Sequence, residues 1–202
     1  TMKQVVLASG NAGKLKEFGQ HLGGLGIELV PQEQFISQEV EETGLTFVEN
    51  AILKARHAAS ASGLPALADD SGLEVDALGG APGIYSARYA GSNLKGQAKD
   101  VANCAHLIAN LATTPAHQRM ARFQCVLVYM RHASDPTPLI CQAAWEGVIM
   151  DSALGDHGFG YDPIFQVLEK GCRAAQLTPS EKITMSHRGK ALAILQRALA
   201  EA

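Results

Sequence analysis

Two adjacent carboxylates, Asp69 and Asp70, follow a short apolar run in the segment LADDSGL at residues 67–73. Carboxylate groups and water are the ligands that Mg²⁺ prefers, and phosphate oxygens complete its coordination shell. In α/β sheets, ligands bind outside the carboxyl ends of the strands, and the apolar run places the pair at such an end. The segment therefore predicts a metal site, with a solvated Asx-type turn as the alternative.

A second acidic pair, Glu41 and Glu42, lies in the segment VEETG at residues 40–44, just before a predicted helix. Taken alone, such a pair is typical of a solvated loop. Together with the aspartates it offers further carboxylate oxygens for a metal ion.

A glycine-containing turn, SGNAGK at residues 9–14, connects the first predicted strand to the first predicted helix. Backbone N–H groups at such a helix start bind anions, and Lys14 adds a positive charge. The segment is not a Walker A loop, because Ala8 occupies the first glycine position and Leu15 the Mg²⁺-binding Ser/Thr position. It predicts a phosphate-binding turn or, alternatively, an ordinary strand-to-helix turn.

Aromatic and cationic residues form two later motifs, GFGYDP at residues 158–163 and SHRGKA at residues 186–191. Phe159 lies between Gly158 and Gly160, and Tyr161 follows Gly160, where a nucleobase could stack on a ring, although a packed loop explains them equally well. His187 and Arg188 open the last predicted helix, where cations oppose the helix dipole unless an anionic or hydrogen-bonding partner faces them. A solvated surface pair is the alternative. Together, the motifs describe a nucleoside triphosphate hydrolase.

The elements that must position these motifs are strands and helices in alternation. The predicted strands cover residues 3–8, 27–30, 65–68, 119–132, 137–150 and 164–167, with LEVDAL at residues 73–78 as an alternative continuation of the third strand. The predicted helices cover residues 15–22, 47–62, 97–111 and 189–202. The helix over residues 47–62 is the clearest, because Thr46 and Glu49 form a capping-box pattern before it. Strands mixed with helices, and one long hairpin, predict a mixed-sheet α/β domain. We place it at residues 2–202 and interpret Thr1 as an added residue.

Composition excludes several classes of protein. The chain has 202 residues and a formal net charge of −3, so it offers no basic patch for a nucleic acid polymer. It contains no apolar run of about 18 residues, and its first residues lack the layout of a signal peptide. Four dispersed cysteines without a C-x-x-C pair argue against zinc and disulfides and predict a reduced, cytoplasmic environment.

The order, spacing and length of the motifs resemble the non-standard purine nucleoside triphosphate pyrophosphatases, the inosine/xanthosine triphosphate family, in its bacterial form. The similarity runs from residue 3 to residue 200 and includes SGNAGKLKE, EETGLTFVENAILKARHAA, ADDSGLEVDALGGAPGIYSARYAG, GFGYDPIF and SHRGKAL. It implies hydrolysis of dITP, ITP and XTP to the monophosphate and pyrophosphate, with Mg²⁺ as cofactor. It also implies an elongated mixed β-sheet flanked by helices, a nucleotide-binding cleft between two lobes, and a homodimer.

The resemblance further implies a role for each residue of the motifs. Asp70 would be the general base and, with Glu42, a Mg²⁺ ligand, while Asp69 would support Asp70. The residues expected to contact the substrate are Ser9, Gly10, Asn11, Ala12, Gly13 and Lys14 at the phosphates, then Ser71, and Phe159, Gly160, Tyr161, Asp162, Lys182, His187 and Arg188 around the nucleotide. The chain departs from the usual family pattern most at residues 92–112 and 155–157, which we expect at the rim of the site or on the dimer surface.

Two other classes of function compete with this interpretation. A catalytically silent nucleotide sensor would keep Lys14, Phe159 and Arg188 but could dispense with Asp70. A Walker-type kinase or ATPase is disfavoured by Ala8 and Leu15. Release of pyrophosphate, as opposed to single phosphates or no product, separates the three classes.

Overall fold

The structure is a computed structural model that describes residues 1–91 and 93–201. Ser92, the first residue of the divergent segment 92–112, and Ala202, the last residue of the predicted domain, lie outside the described residues. Within the described ranges, no helix combines the length and the apolar character that a membrane span requires.

Eight β-strands in the described ranges form one sheet. The strands are β1 (Lys3–Leu7), β2 (Ile27–Pro31), β3 (Ala66–Val75), β4 (Pro82–Gly83), β5 (Met120–Met130), β6 (Leu139–Ile149), β7 (Phe165–Val167) and β8 (Cys172–Arg173). The sequence predicts the mixed character of the sheet, but not the two-residue strands β4 and β8. Their order is β2-β1-β3-β5-β6-β7-β8, and β4 pairs with β3. β1 is parallel to both β2 and β3, whereas β7 is antiparallel to β6 and β8. The two long predicted strands, β5 and β6, are neighbours.

The helices are α1 (Ala12–Leu22), α2 (Phe47–Ser62), α3 (Gly96–Asn110), α4 (Pro179–Met185) and α5 (His187–Ala200). The bounds predicted for α2 are confirmed, because the Thr46 hydroxyl accepts a hydrogen bond from the Glu49 amide at 3.2 Å. α5 begins two residues earlier than predicted. The Ser186 hydroxyl accepts from the Gly189 amide at 3.1 Å, so Ser186 starts the helix as a local cap.

β3 runs through both aspartates as far as Val75, so the prediction that they follow the end of a strand is wrong, and the alternative that the strand continues into residues 73–75 is confirmed. The strand continues because its second half has its own partner: Leu73 pairs with Gly83 and Glu74 with Pro82, both in β4. The carboxylates of Asp69 and Asp70 therefore project from the middle of a strand. Successive side chains of a strand point to opposite faces of the sheet.

The chain divides into two compact units. Unit 1 comprises Thr1–Asp70, Cys125–Ala143 and Ala191–Ala202, and unit 2 comprises Ser71–Gln124 and Ala144–Lys190. In unit 1, an alanine-rich face of α2 packs on apolar residues of β1, β3 and β5, and small side chains allow a close helix-to-sheet approach. In unit 2, aromatic residues of β5, β6 and β7 pack with leucines of β3 and α3. The single domain over residues 2–202 stays a prediction.

Candidate active site

In unit 1, the turn between β1 and α1 carries the residues predicted to bind phosphate. Asn11 is the N-cap of α1, and its side-chain oxygen accepts hydrogen bonds from the amides of Gly13 at 2.9 Å and Lys14 at 3.2 Å. Ser9 Oγ accepts from the Asn11 amide at 3.1 Å. Three of the amides expected to bind a phosphate thus already donate hydrogen bonds to side chains within the turn. The Lys14 charge and the positive end of the α1 dipole are the main attractions for an anion here.

The two aspartates of β3 meet different lysines. Asp69 is 2% exposed, and its Oδ1 lies 3.8 Å from Nζ of Lys14. Asp70 Oδ1 lies 3.5 Å from Nζ of Lys54, which is on α2. The strand places the adjacent carboxylates on opposite faces, and a separate cation offsets the charge of each.

A loop that is hydrogen-bonded to α2 places Glu42 beside Lys54. The Gly44 amide donates to Asn50 Oδ1 at 2.7 Å, and Asn50 Nδ2 donates to the Gly44 carbonyl at 3.4 Å. A Cβ at Gly44 would lie 2.6 Å from Cβ of Glu49, so a glycine is required for this close approach. The anchored loop leaves Glu42 Oε1 at 3.0 Å from Nζ of Lys54.

Lys54 is the site residue that the sequence analysis missed. Its ammonium group contacts Glu42 and Asp70 and donates to the backbone carbonyl of Asp69 at 2.6 Å. A signal for it was present in the pattern of α2, because positions 51, 55 and 58 are buried alanines and Lys54 lies on the same face. A cation on a buried helix face is costly unless anions surround it, so its position indicates a charge cluster.

The environment of Asp70 gives it the properties of a general base. Burial is the main cause that raises its pKa from 3.8 to about 6, and the charges of Glu42 and Asp69 act in the same direction against Lys54. Burial lowers the pKa of Lys54, but Asp70, Glu42 and Asp69 together raise it above its ordinary value. A carboxyl group with a pKa of about 6 is ionised at neutral pH and is a better proton acceptor than an ordinary aspartate.

The geometry of Glu42 and Asp70 suits a divalent cation. Both carboxylates converge on one positive charge, the Lys54 ammonium group, and burial, followed by the charges of Glu42 and Asp69, raises the pKa of Asp70. Among the described residues, no group of three or more His, Cys, Asp or Glu side chains could hold a metal. Two carboxylates suit Mg²⁺, which fills its shell with water and substrate phosphates.

In unit 2, one aromatic ring of residues 158–162 faces solvent. Phe159 is 56% exposed, and its ring centroid lies 4.6 Å from Nζ of Lys182 and 5.5 Å from Cζ of Arg188. The buried Asp162 carboxylate accepts hydrogen bonds from the Phe159 amide at 3.1 Å and from Lys182 at 2.5 Å. A ring face with hydrogen-bond donors beside it can bind a purine base by stacking and by edge contacts.

Tyr161 has a different place from the one that the motif predicts. Its ring is buried in the core of unit 2, and its hydroxyl donates to the Ser86 carbonyl at 2.6 Å. Burial raises the pKa of this phenol, so the hydroxyl stays a donor. Tyr161 anchors the loop to the core of unit 2, and Phe159 is the ring available for stacking.

His187 and Arg188 occupy the junction of α4 and α5, as predicted from the motif. Both side chains are largely buried, and the His187 imidazole stacks on Phe123 with centroids 4.9 Å apart and an interplanar angle of 15°. The two helices come close at Gly189, where a Cβ would overlap the carbonyl oxygen of Ile183. Gly189 therefore sets the position of both cationic residues.

Replacing Gly189 with Ala is expected to lower the free energy of unfolding by about 3 kcal/mol, because the new methyl group meets backbone that has no room to move. Gly19→Ala is the matched control, since a Cβ there meets nothing within 4 Å. The control is expected to stabilise α1 by up to about 1 kcal/mol. Urea unfolding followed by circular dichroism measures both, and equal stabilities of Gly189→Ala and wild type would contradict the prediction.

The structure gathers the predicted residues into two groups. Glu42, Asp69, Asp70 and Lys14 belong to unit 1 together with the exposed or half-buried turn Ser9, Gly10, Asn11, Ala12 and Gly13, and Phe159, Gly160, Asp162, Lys182, His187 and Arg188 belong to unit 2. Ser71 is half-buried and follows Asp70 along β3.

The chain is similar over its length to known proteins of one family. The sequence model of the Ham1 family matches residues 5–198. A dITP/XTP pyrophosphatase of Shewanella oneidensis is 61% identical over 200 residues, which cover 99% of this chain and 95% of the relative. The dITP/XTP pyrophosphatase of Pectobacterium atrosepticum is 56% identical over 201 residues and 100% of both chains. The solved structure of a HAM1 protein from Coxiella burnetii has a TM-score of 0.94 at 49% identity, covering 100% of both chains.

Proposed function

Because this chain belongs to the Ham1 family, we propose that it hydrolyses dITP, ITP and XTP to the nucleoside monophosphate and pyrophosphate. The names of the relatives support the substrate class. The observation that carries the chemistry is the partly buried cluster in which Lys54 contacts Glu42 and Asp70, with the pKa of Asp70 raised to about 6. A protein that only binds nucleotides has no need of a partly buried charge cluster with a basic carboxylate.

In the proposed reaction, Asp70 accepts a proton from the water that attacks the α-phosphorus. The bond from this phosphorus to the bridging oxygen breaks, and pyrophosphate leaves. Lys14 and the start of α1 offset the charge that develops on the leaving group. Glu42 and Asp70 are the residues that would hold Mg²⁺, which, when bound, neutralises charge on the phosphate oxygens.

Residues of unit 2 would bind the purine base of the substrate. The exposed face of Phe159 offers a stacking surface, and the donors of Lys182 and Arg188 lie beside it. Donors aimed at the 6-keto oxygen of hypoxanthine or xanthine would face the 6-amino group of adenine, which brings a second donor. Such a mismatch leaves polar groups unpaired and disfavours ATP.

Two further features rest on the sequence. A homodimer is implied by the resemblance to the pyrophosphatase family, and a cytoplasmic location by the cysteine usage. Both stay predictions.

Pyrophosphate release from ITP, XTP, dITP, ATP and GTP, with and without Mg²⁺, tests the proposal. We expect kcat/KM for ITP to exceed that for ATP by on the order of 10⁴-fold, since the site is built on hydrogen bonds. Removal of Mg²⁺ with EDTA should abolish turnover, and added Mg²⁺ should restore it. Release of single phosphates only, or a preference for ATP, would overturn the proposal.

A further inference from the structure

The loop that carries Phe159 is tied to α3 by two hydrogen bonds at one residue. The Gly160 amide donates to Oδ2 of Asp100 at 2.9 Å. The Gly160 carbonyl accepts from Sγ of Cys104 at 3.4 Å. Burial, together with the nearby carboxylates of Asp100 and Asp162, raises the pKa of Cys104 to about 12, so the thiol keeps its proton and remains a donor.

Two carboxylates thus hold two consecutive amides. Asp162 accepts from the amide of Phe159, and Asp100 accepts from the amide of Gly160. These bonds fix the peptide groups on both sides of the Phe159 side chain. Asp162 belongs to the predicted site, whereas Asp100 lies on α3, inside the divergent segment 92–112.

Tyr161 also anchors the loop in the core of unit 2, but Phe159 itself lies between two glycines. Gly158 and Gly160 both have positive φ, +73° and +60°, so glycines with wide conformational freedom flank Phe159. A solvent-open cavity of about 280 Å³ lies between α3 and residues 153–164. Asp100 and Cys104 line it. Where this cavity separates the loop from α3, the hydrogen bonds of Asp100 and Cys104 to Gly160 connect the two.

We infer that Asp100 is a positioning residue, which holds the Phe159 ring where a purine base can stack by fixing the Gly160 amide. The inference rests on the proposed function for the role of Phe159 as a stacking surface. It gives the divergent segment 92–112 a specific part in substrate binding, through the residue it places against the loop. Cys104 supports the same peptide from its other side.

Binding of inosine monophosphate, measured by titration calorimetry in EDTA, tests the inference without turnover. Asp100→Ala is expected to weaken binding by about 10-fold, because a charge-assisted hydrogen bond is lost and the loop gains freedom. Asp100→Asn keeps a side-chain acceptor and should weaken binding less. Gln97→Ala is the matched control, because Gln97 lies on the same helix and lines the same cavity, and its affinity should equal that of wild type.

Two further measurements separate positioning from a general loss of structure. The inhibition constant of inorganic triphosphate, which has no base, should change less than about 2-fold in Asp100→Ala. In a Phe159→Ala background, Asp100→Ala should have no further effect on inosine monophosphate binding.

Each alternative result has a definite meaning. Three results would overturn the positioning role alone. They are an unchanged affinity of Asp100→Ala for inosine monophosphate, equal losses of affinity for inosine monophosphate and inorganic triphosphate, and an undiminished effect of Asp100→Ala in the Phe159→Ala background. A wild-type protein that binds no purine nucleotide would overturn the role and the proposed function together. If Asp100→Ala does not fold, the comparison of Asp100→Asn with wild type decides, and equal affinities there count against the inference.

Discussion

Replacing Asp70 with Asn is expected to lower kcat for pyrophosphate release by about 10²- to 10⁴-fold, because the amide cannot accept the proton of the attacking water. The substitution is nearly isosteric and leaves Lys54 its contacts with Glu42 and the Asp69 carbonyl. Initial rates of pyrophosphate release from ITP at saturating Mg²⁺ measure the effect. A variant that retains most of the wild-type turnover would remove Asp70 from the role of base.

The same substitution is expected to stabilise the fold in the absence of metal. The pKa of Asp70 rises from 3.8 to about 6 on folding, so the folded state binds its proton more tightly than the unfolded state does. The contribution of Asp70 to the free energy of unfolding is therefore favourable at low pH, and it is lost as the pH rises through about 6. Two pKa units correspond to about 3 kcal/mol. The free energy of unfolding of Asp70→Asn should therefore exceed that of wild type by about 3 kcal/mol at pH 8 and by roughly half of that at pH 5.

Urea unfolding in EDTA at both pH values measures the gain in stability. Asp151→Asn, at an exposed position, is the matched control and should change neither turnover nor the pH dependence of stability. An Asp70→Asn variant that is less stable than wild type at pH 8 would contradict the prediction that the ionised Asp70 carboxylate lowers the free energy of unfolding.

Replacing Lys54 with Met is expected to give the second large effect. The substitution removes the cation between Glu42 and Asp70, and the loss of one preorganised charge of this kind costs about 10²- to 10³-fold in kcat. Because Lys54 is the group that lowers the pKa of Asp70, the acid limb of the pH–rate profile should move to higher pH. The free energy of unfolding of the metal-free protein should fall by about 3 kcal/mol, since two carboxylates are left in a partly buried site without their cation.

Arg56→Met provides the control for Lys54, because Arg56 is exposed on the same helix and donates to the Ala133 carbonyl. It should leave kcat and the pH–rate profile unchanged. Lys54→Arg should recover part of the stability, since it restores the positive charge. An acid limb at the same pH in Lys54→Met and wild type would contradict the assigned contact between Lys54 and Asp70.

Much of the fold was predictable because its signals act over a few residues. The capping box of Thr46 and Glu49 predicts the start of α2, and apolar periodicity predicts β1, β2 and the long strands β5 and β6. The prediction of a strand end at Asp69 was wrong for a related reason. The acidic pair interrupts the apolar pattern, but β3 continues because β4 pairs with its second half, and strand pairing of this kind is not visible in local composition.

The candidate site shows the same division. The motifs containing Asp70, Glu42, Lys14 and Phe159 were visible from residue types and order. Lys54 was overlooked because a lysine in a helix is normally solvated, and only its position on the buried face of α2 indicated otherwise. Tyr161 was taken as a stacking group because spacing between glycines does not show which of two neighbouring rings is buried.

The sequence alone determined the family resemblance, the kinds of chemical groups present and the helices that cap themselves, since these depend on residue identity and on neighbours within one turn. The tertiary structure decided which groups meet. It gave the carboxylates of Asp69 and Asp70 separate lysines, brought Lys54 against two carboxylates and a backbone carbonyl, and attached the Phe159 loop to α3 through Asp100. Those contacts join residues far apart in the chain, and they depend on the packing of helices on the sheet and on the burial that shifts the pKa of Asp70.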